Sequence, residues 1–171
     1  IGQFGNNDFE TGSNGDTTIS GWSVSNEQVK LNGTTNLGGK PTANDTSFPN
    51  PVAAGSAAPH DQVAPSSATY QTTLSNDTSS GSGLSVKLRS TGVSIINYGI
   101  LHGPAITSDS SVKLDVGDSV SFEWKASGGR DAYDVIGYLV DESTGHTEEI
   151  LNETGANETA STPWATVSKT I

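Results

Sequence analysis

A chain of 171 residues is long enough for one domain with a single sizeable core. Hydrophobic residues make up 32% and charged residues 16%, while 24 Ser, 20 Thr, 12 Asn and 20 Gly fill 76 positions. That leaves too few long aliphatic side chains for a helical bundle, and nineteen acids against eight bases (net charge -11) exclude a basic stripe for nucleic acid or for an anionic membrane.

The opening residues, Phe4–Glu10, predict a strand, followed by a turn-rich loop over Thr11–Ser20. Short strands are expected at Trp22–Val24 and Gln28–Leu31; in Val29-Lys30-Leu31 apolar and polar side chains alternate with the strand period of two. Residues 33–83 differ. They hold five of the seven prolines amid Gly, Ala, Ser, Asn and Thr, and show almost no periodicity. A structureless stretch of that length is unusual inside a compact domain. The alternatives are a flexible linker and an ordered excursion anchored by Phe48, Val52, Val63 and Tyr70; the reading adopted is the ordered excursion.

From residue 84 onward the chain reads as an all-β body. Leu84–Leu88, Val112–Leu114 and Val120–Ala126 alternate, with Val116-Gly117-Asp118 as a turn between the last two. Tyr133–Val140 is a richer apolar strand. Asp141-Glu142-Ser143-Thr144-Gly145 turns it into His146–Leu151, which predicts a hairpin. Ala160–Pro163 leads to a last strand, Trp164–Ile171. Evenly spaced short strands predict an antiparallel β-sandwich of jelly-roll type, one domain over 1–171 with a long Pro/Gly/Ser-rich excursion.

There is no cysteine, hence no disulfide and no thiol chemistry. A secreted domain without disulfides relies on its core or on a metal. The acid excess serves solubility, or it is partly neutralised by Ca²⁺, which prefers clustered oxygen ligands. There is no methionine, no recognisable signal peptide and no apolar run long enough to span a bilayer, so the chain reads as an internal or processed segment without membrane insertion.

The opening Asn7-Asp8-Phe9-Glu10-Thr11-Gly12, followed by Gly21-Trp22, resembles the start of galactose-binding-like jelly rolls, including carbohydrate-binding modules. A later run is more specific. Val120-Ser121-Phe122-Glu123-Trp124-Lys125-Ala126, Gly129 and Asp131–Leu139, with Thr144-Gly145-His146-Thr147 and Pro163-Trp164, resembles a domain of giant bacterial RTX adhesins. The resemblance covers most of the chain. It implies secretion to the bacterial cell surface, Ca²⁺ dependence, and a role in cell adhesion or biofilm formation. One departure stands out: such domains continue past the last strand seen here, to a closing strand with an acidic residue that pairs with the opening strand. The expectation is that a second polypeptide or a neighbouring copy fills that edge; the alternative is that Thr166–Ile171 closes the sheet itself.

Two constellations carry candidate chemistry. On an extended opening strand, Asp8 and Glu10 point to one face and, with Asn7 or backbone carbonyls, can offer oxygens to Ca²⁺; otherwise they are a solvated strand end. Asp131, Tyr133 and Asp134 form the second. Here Ca²⁺, held in part by Asp134, can bridge to sugar hydroxyls or a peptide carboxylate beside the Tyr133 ring; the bland alternative is a loop acid and a buried strand tyrosine.

No catalytic residue is predicted. His60, His102 and His146 lack metal-ligand spacing, and no nucleophile elbow or phosphate loop is present. Sequons begin at Asn32, Asn44, Asn76, Asn152 and Asn157, and are expected to be unmodified in a bacterial protein. The sequence thus points to a Ca²⁺-dependent adhesin module binding a cell-surface glycan or peptide. The alternative is a structural or self-associating module whose Ca²⁺ only stabilises the fold.

Overall fold

A computed structural model describes residues 2–25, 69–91, 104–127, 133–155 and 161–171. Among these residues every regular element is a strand. The strands are β1 (Trp22–Ser25), β2 (Thr69–Ser75), β3 (Ser85–Thr91), β4 (Ala105–Ser108), β5 (Ser119–Trp124), β6 (Tyr133–Val140), β7 (Thr147–Gly155) and β8 (Ala165–Thr170). They form four antiparallel pairs: β1 with β4, β2 with β3, β5 with β8 and β6 with β7.

The pairs follow local sequence chemistry. In β5 the outward Ser119, Ser121 and Glu123 are exposed while Val120, Phe122 and Trp124 are half-buried, which is the period-two pattern of a strand with one covered face. The β6–β7 hairpin turns at Asp141. Its carboxylate accepts hydrogen bonds from the Ser143 amide (2.8 Å), the Ser143 hydroxyl (2.6 Å) and the Thr144 hydroxyl (2.8 Å). The Asp141 amide donates to His146 O at 2.8 Å, closing the turn.

The buried apolar residues among those described are Ile19, Leu74, Ala126 and Leu151, with Thr72 and Ser75 buried beside Leu74 on β2. The two C-terminal ladders meet through Phe122. An added Cβ at Gly137 would lie 2.9 Å from the tip of that ring and 3.4 Å from Leu151 Cβ, so β6 admits Phe122 only where it has no side chain. The β6–β7 register shifts between Gly137 and Tyr138, at this same point. Lys169 of β8 pairs with Glu148 of β7 at 2.6 Å.

Several expectations need correction. Phe4–Glu10 is not a strand; residues 5–8 form a turn. Val112–Leu114 alternates in burial but joins no ladder, because alternation fixes where side chains point and not whether a partner strand lies alongside. The stretch 33–83 is not one excursion: its end contains β2 and the loop to β3, while 33–68, with Phe48, Val52 and Val63, lies outside the described residues. Tyr70 belongs to β2, paired in register with Ser90. The last strand pairs with β5. Gln28–Leu31 lies outside the described residues.

Candidate functional site

Asn6, Asn7 and Asp8 are turn formers, and the chain turns on them. The Phe9 amide donates to Asn6 O at 3.1 Å. Asn6 has φ 46° and Phe9 has φ 59°. Asn tolerates the left-handed region because its short amide can bond locally. Here Asn6 Nδ2 donates to Ser20 O at 2.9 Å and Asn6 Oδ1 accepts the Thr11 amide at 3.1 Å. Phe9 has no such compensation on its own side chain, and a bulky residue in this region costs on the order of 1–3 kcal/mol.

Trp22 supplies what offsets it. The Phe9 ring lies 5.2 Å from the Trp22 ring and the Phe4 ring 6.2 Å, both tilted. The Trp22 indole N–H donates to Asn6 O at 3.2 Å. The two short motifs at 6–10 and 21–22 are therefore one unit, with the turn wrapped around the indole.

The acids of this unit have structural tasks. Asp8 Oδ1 accepts the Glu10 amide at 3.2 Å. Glu10 Oε1 accepts the Leu84 amide at 2.7 Å, so the carboxylate reaches the loop between β2 and β3. That reach explains Gly83: a Cβ there would sit 2.2 Å from Glu10 Oε1, and its φ of +82° favours glycine as well. Asn7 is exposed on the same turn. Asn7 and Asp8 thus lie in one turn with Glu10 just after it, not on one face of a strand.

The β2–β3 loop is held from its other side too. Asp77 pairs with Lys125 at 2.5 Å, and the Lys125 ammonium lies 5.5 Å from the Trp164 ring centroid. The hydrogen bond from Lys125 holds the Asp77 carboxyl below its ordinary range, with the Trp164 indole and Lys87 adding to the effect. The Ser79 hydroxyl donates to Glu123 at 2.5 Å. Sequence reasoning missed this clamp. The signal was Asn76-Asp77 followed by Gly81 and Gly83, turn chemistry between two alternating segments.

The second predicted site is placed only in part. Tyr133 and Asp134 open β6, in register with Gly155 and Thr154. Their side chains and all of Asp131 lie outside the described set.

No family model, no curated protein and no solved structure matches this chain. The assignment of a role therefore rests on the geometry and on donor chemistry.

For Ca²⁺ that chemistry is suitable in kind. Carboxylate, amide and carbonyl oxygens are hard donors, and Ca²⁺ takes six to eight of them. The described residues contain no group of three or more His, Cys, Asp or Glu able to hold a metal. At the opening turn Asp8 and Glu10 would supply the carboxylates and Asn7 an amide oxygen, with main-chain carbonyls and water completing the shell. Each carboxylate has an oxygen beyond the one bonded to a backbone amide.

Proposed function

We propose that the chain is a Ca²⁺-dependent extracellular module of a bacterial surface adhesin that binds a cell-surface glycan or peptide. The observation that carries this reading is the union of Asn6–Glu10 with Gly21-Trp22. The residues on which the resemblance to carbohydrate-binding jelly rolls rests lie in one contact unit, joined by the Trp22–Asn6 hydrogen bond and the Phe9–Trp22 ring pair.

The reading includes an antiparallel sandwich of jelly-roll type. Its support is the seating of Phe122 of β5 against Gly137 of β6, with the β7–β8 ion pair alongside. In this reading Ca²⁺ ties the opening turn to the body, and Tyr133 and Asp134 of β6, with Asp131 two positions ahead of Tyr133 in sequence, contact the ligand. The test is a glycan and peptide array probed with and without chelator. Retention on a defined ligand class that chelator abolishes is expected; no ligand retained in Ca²⁺ would sink the binding role.

A second reading has its own observation. Leu88 on β3 is 48% exposed, on a ladder of two strands among the described residues. An apolar residue on such an edge favours a self-associating module whose Ca²⁺ only stabilises the fold. Light scattering in Ca²⁺ separates the two: concentration-dependent association without array binding supports self-association.

A further inference from the structure

We propose that Asn14 is a deamidation site gated by the fold, guarded while the loop 13–16 is docked on β2 and converted when that loop lifts away. Asn14 is followed by Gly15, and both are exposed. An Asn–Gly pair is chemically self-reactive, because glycine has no side chain to obstruct its own amide nitrogen. That nitrogen, deprotonated, attacks Asn14 Cγ. The N–C bond forms, ammonia leaves with the departing proton, and a five-membered succinimide results. Water then opens the ring at either carbonyl, giving aspartate or isoaspartate. The reaction needs nothing but water and base.

Both reacting groups are engaged in the fold. The Gly15 amide donates to Leu74 O at 2.9 Å, and the Leu74 amide donates back to Asp16 O at 2.8 Å. Asn14 Oδ1 accepts the Asn76 amide at 3.2 Å. The nucleophile therefore keeps its proton against a buried carbonyl partner, and the electrophile is held toward β2. The docking is close: a Cβ at Gly12 would sit 2.5 Å from Leu74 Cδ1. Lifting the loop uncovers Leu74, which is 1% exposed.

The product would not reseat. Isoaspartate inserts a methylene into the main chain and moves the Gly15 amide out of register with Leu74 O. Either product also adds a carboxylate near Asp16, whose own carboxylate caps the Ser13 amide at 2.8 Å. Each opening event that reaches chemistry is thus recorded permanently, in a protein that needs no enzyme to write the record.

The experiment is peptide mapping after incubation in mildly alkaline buffer, which separates Asn14-Gly15 from the chain's other such pair, Asn32-Gly33. The folded chain, the chain in denaturant and the Gly12→Ala variant are compared. Hydrogen exchange at the Gly15 amide reports loop opening directly. Conversion of Asn14 should be about tenfold or more slower in the folded chain than in denaturant, as for a site that reacts only through opening. Gly12→Ala should speed it in step with Gly15 exchange. Equal rates folded and denatured overturn the proposal. So does an unchanged Asn14 rate in a Gly12→Ala chain whose Gly15 exchange has risen, and so does an Asn14 that fails to convert even in denaturant.

Discussion

Glu10 and Leu84 stand 74 positions apart and are joined by a 2.7 Å hydrogen bond from the Leu84 amide to the Glu10 carboxylate. The bond ties the opening turn to the β2–β3 loop, which Lys125 and Glu123 hold from the β5 side. Two separate stretches of chain are thereby fixed to one loop.

Glu10→Ala should lower stability by about 1 kcal/mol, the usual net contribution of an intramolecular hydrogen bond. Glu10→Gln keeps an acceptor for the Leu84 amide and should lose less. Denaturant melts of both variants provide the measurement. Equal losses in the two would show that charge, not the acceptor, is what Glu10 contributes.

Trp22→Phe keeps an aromatic ring for Phe9 but removes the indole donor to Asn6 O. A loss of about 1 kcal/mol is expected from that bond alone. Trp22→Ala also removes the packing that offsets the left-handed Phe9, and should cost about 3 kcal/mol. Fluorescence-monitored unfolding of the Ala variant is precluded at this site, so circular dichroism is the better probe.

Gly137→Ala should destabilise by about 1–3 kcal/mol, because its Cβ would overlap the tip of the Phe122 ring, which must shift to admit it. Phe122→Leu should relieve much of that cost in the double variant. Additive losses in the double-mutant cycle would mean that the two residues do not press on one another.

Much of the strand pattern was legible. Tyr133–Val140 matches β6 in full because its apolar run is dense and bounded by Asp141. β2 was not legible, since its buried face is Thr72 and Leu74 and a buried threonine looks like any other polar residue in a Thr-rich chain. The opening failed for a different reason. Phe4 and Phe9 look like strand residues by type, but Asn6 and Phe9 adopt positive φ, which β propensity does not weigh. Of the candidate site, Asn7, Asp8 and Glu10 were found as neighbours; the partner of Glu10 was not, because a bond to a backbone amide 74 positions away leaves no side-chain signature.

The pH dependence has a definite sign. Hydrogen bonds from the Ser143 hydroxyl, then from Thr144 and the Ser143 amide, hold Asp141 at about 2, below its ordinary 3.8. Lys125 lowers Asp77 from 3.8, and Lys169 lowers Glu148 from 4.5. Each group binds protons more weakly folded than unfolded. The stability they confer is therefore present above their ordinary values and is lost as pH falls through the folded ones. Melting temperature should decline on acidification below 4.5, and Asp141→Asn should flatten the part of the decline that extends toward about 2. Asp77 and Asp141 are exposed and Glu148 is half-buried, so high salt should weaken the Lys-paired contributions more than that of Asp141.

In the proposed role Ca²⁺ belongs to the folded molecule, which the melting temperature in excess Ca²⁺ against the same protein in chelator checks. An ion bound only by the folded state stabilises by mass action, by about 2.7 kcal/mol at a hundredfold excess over its dissociation constant. A rise in melting temperature that grows with Ca²⁺ concentration and shrinks in Asp8→Ala is the predicted result. A melting temperature identical in Ca²⁺ and in chelator would mean that the fold holds no stabilising Ca²⁺.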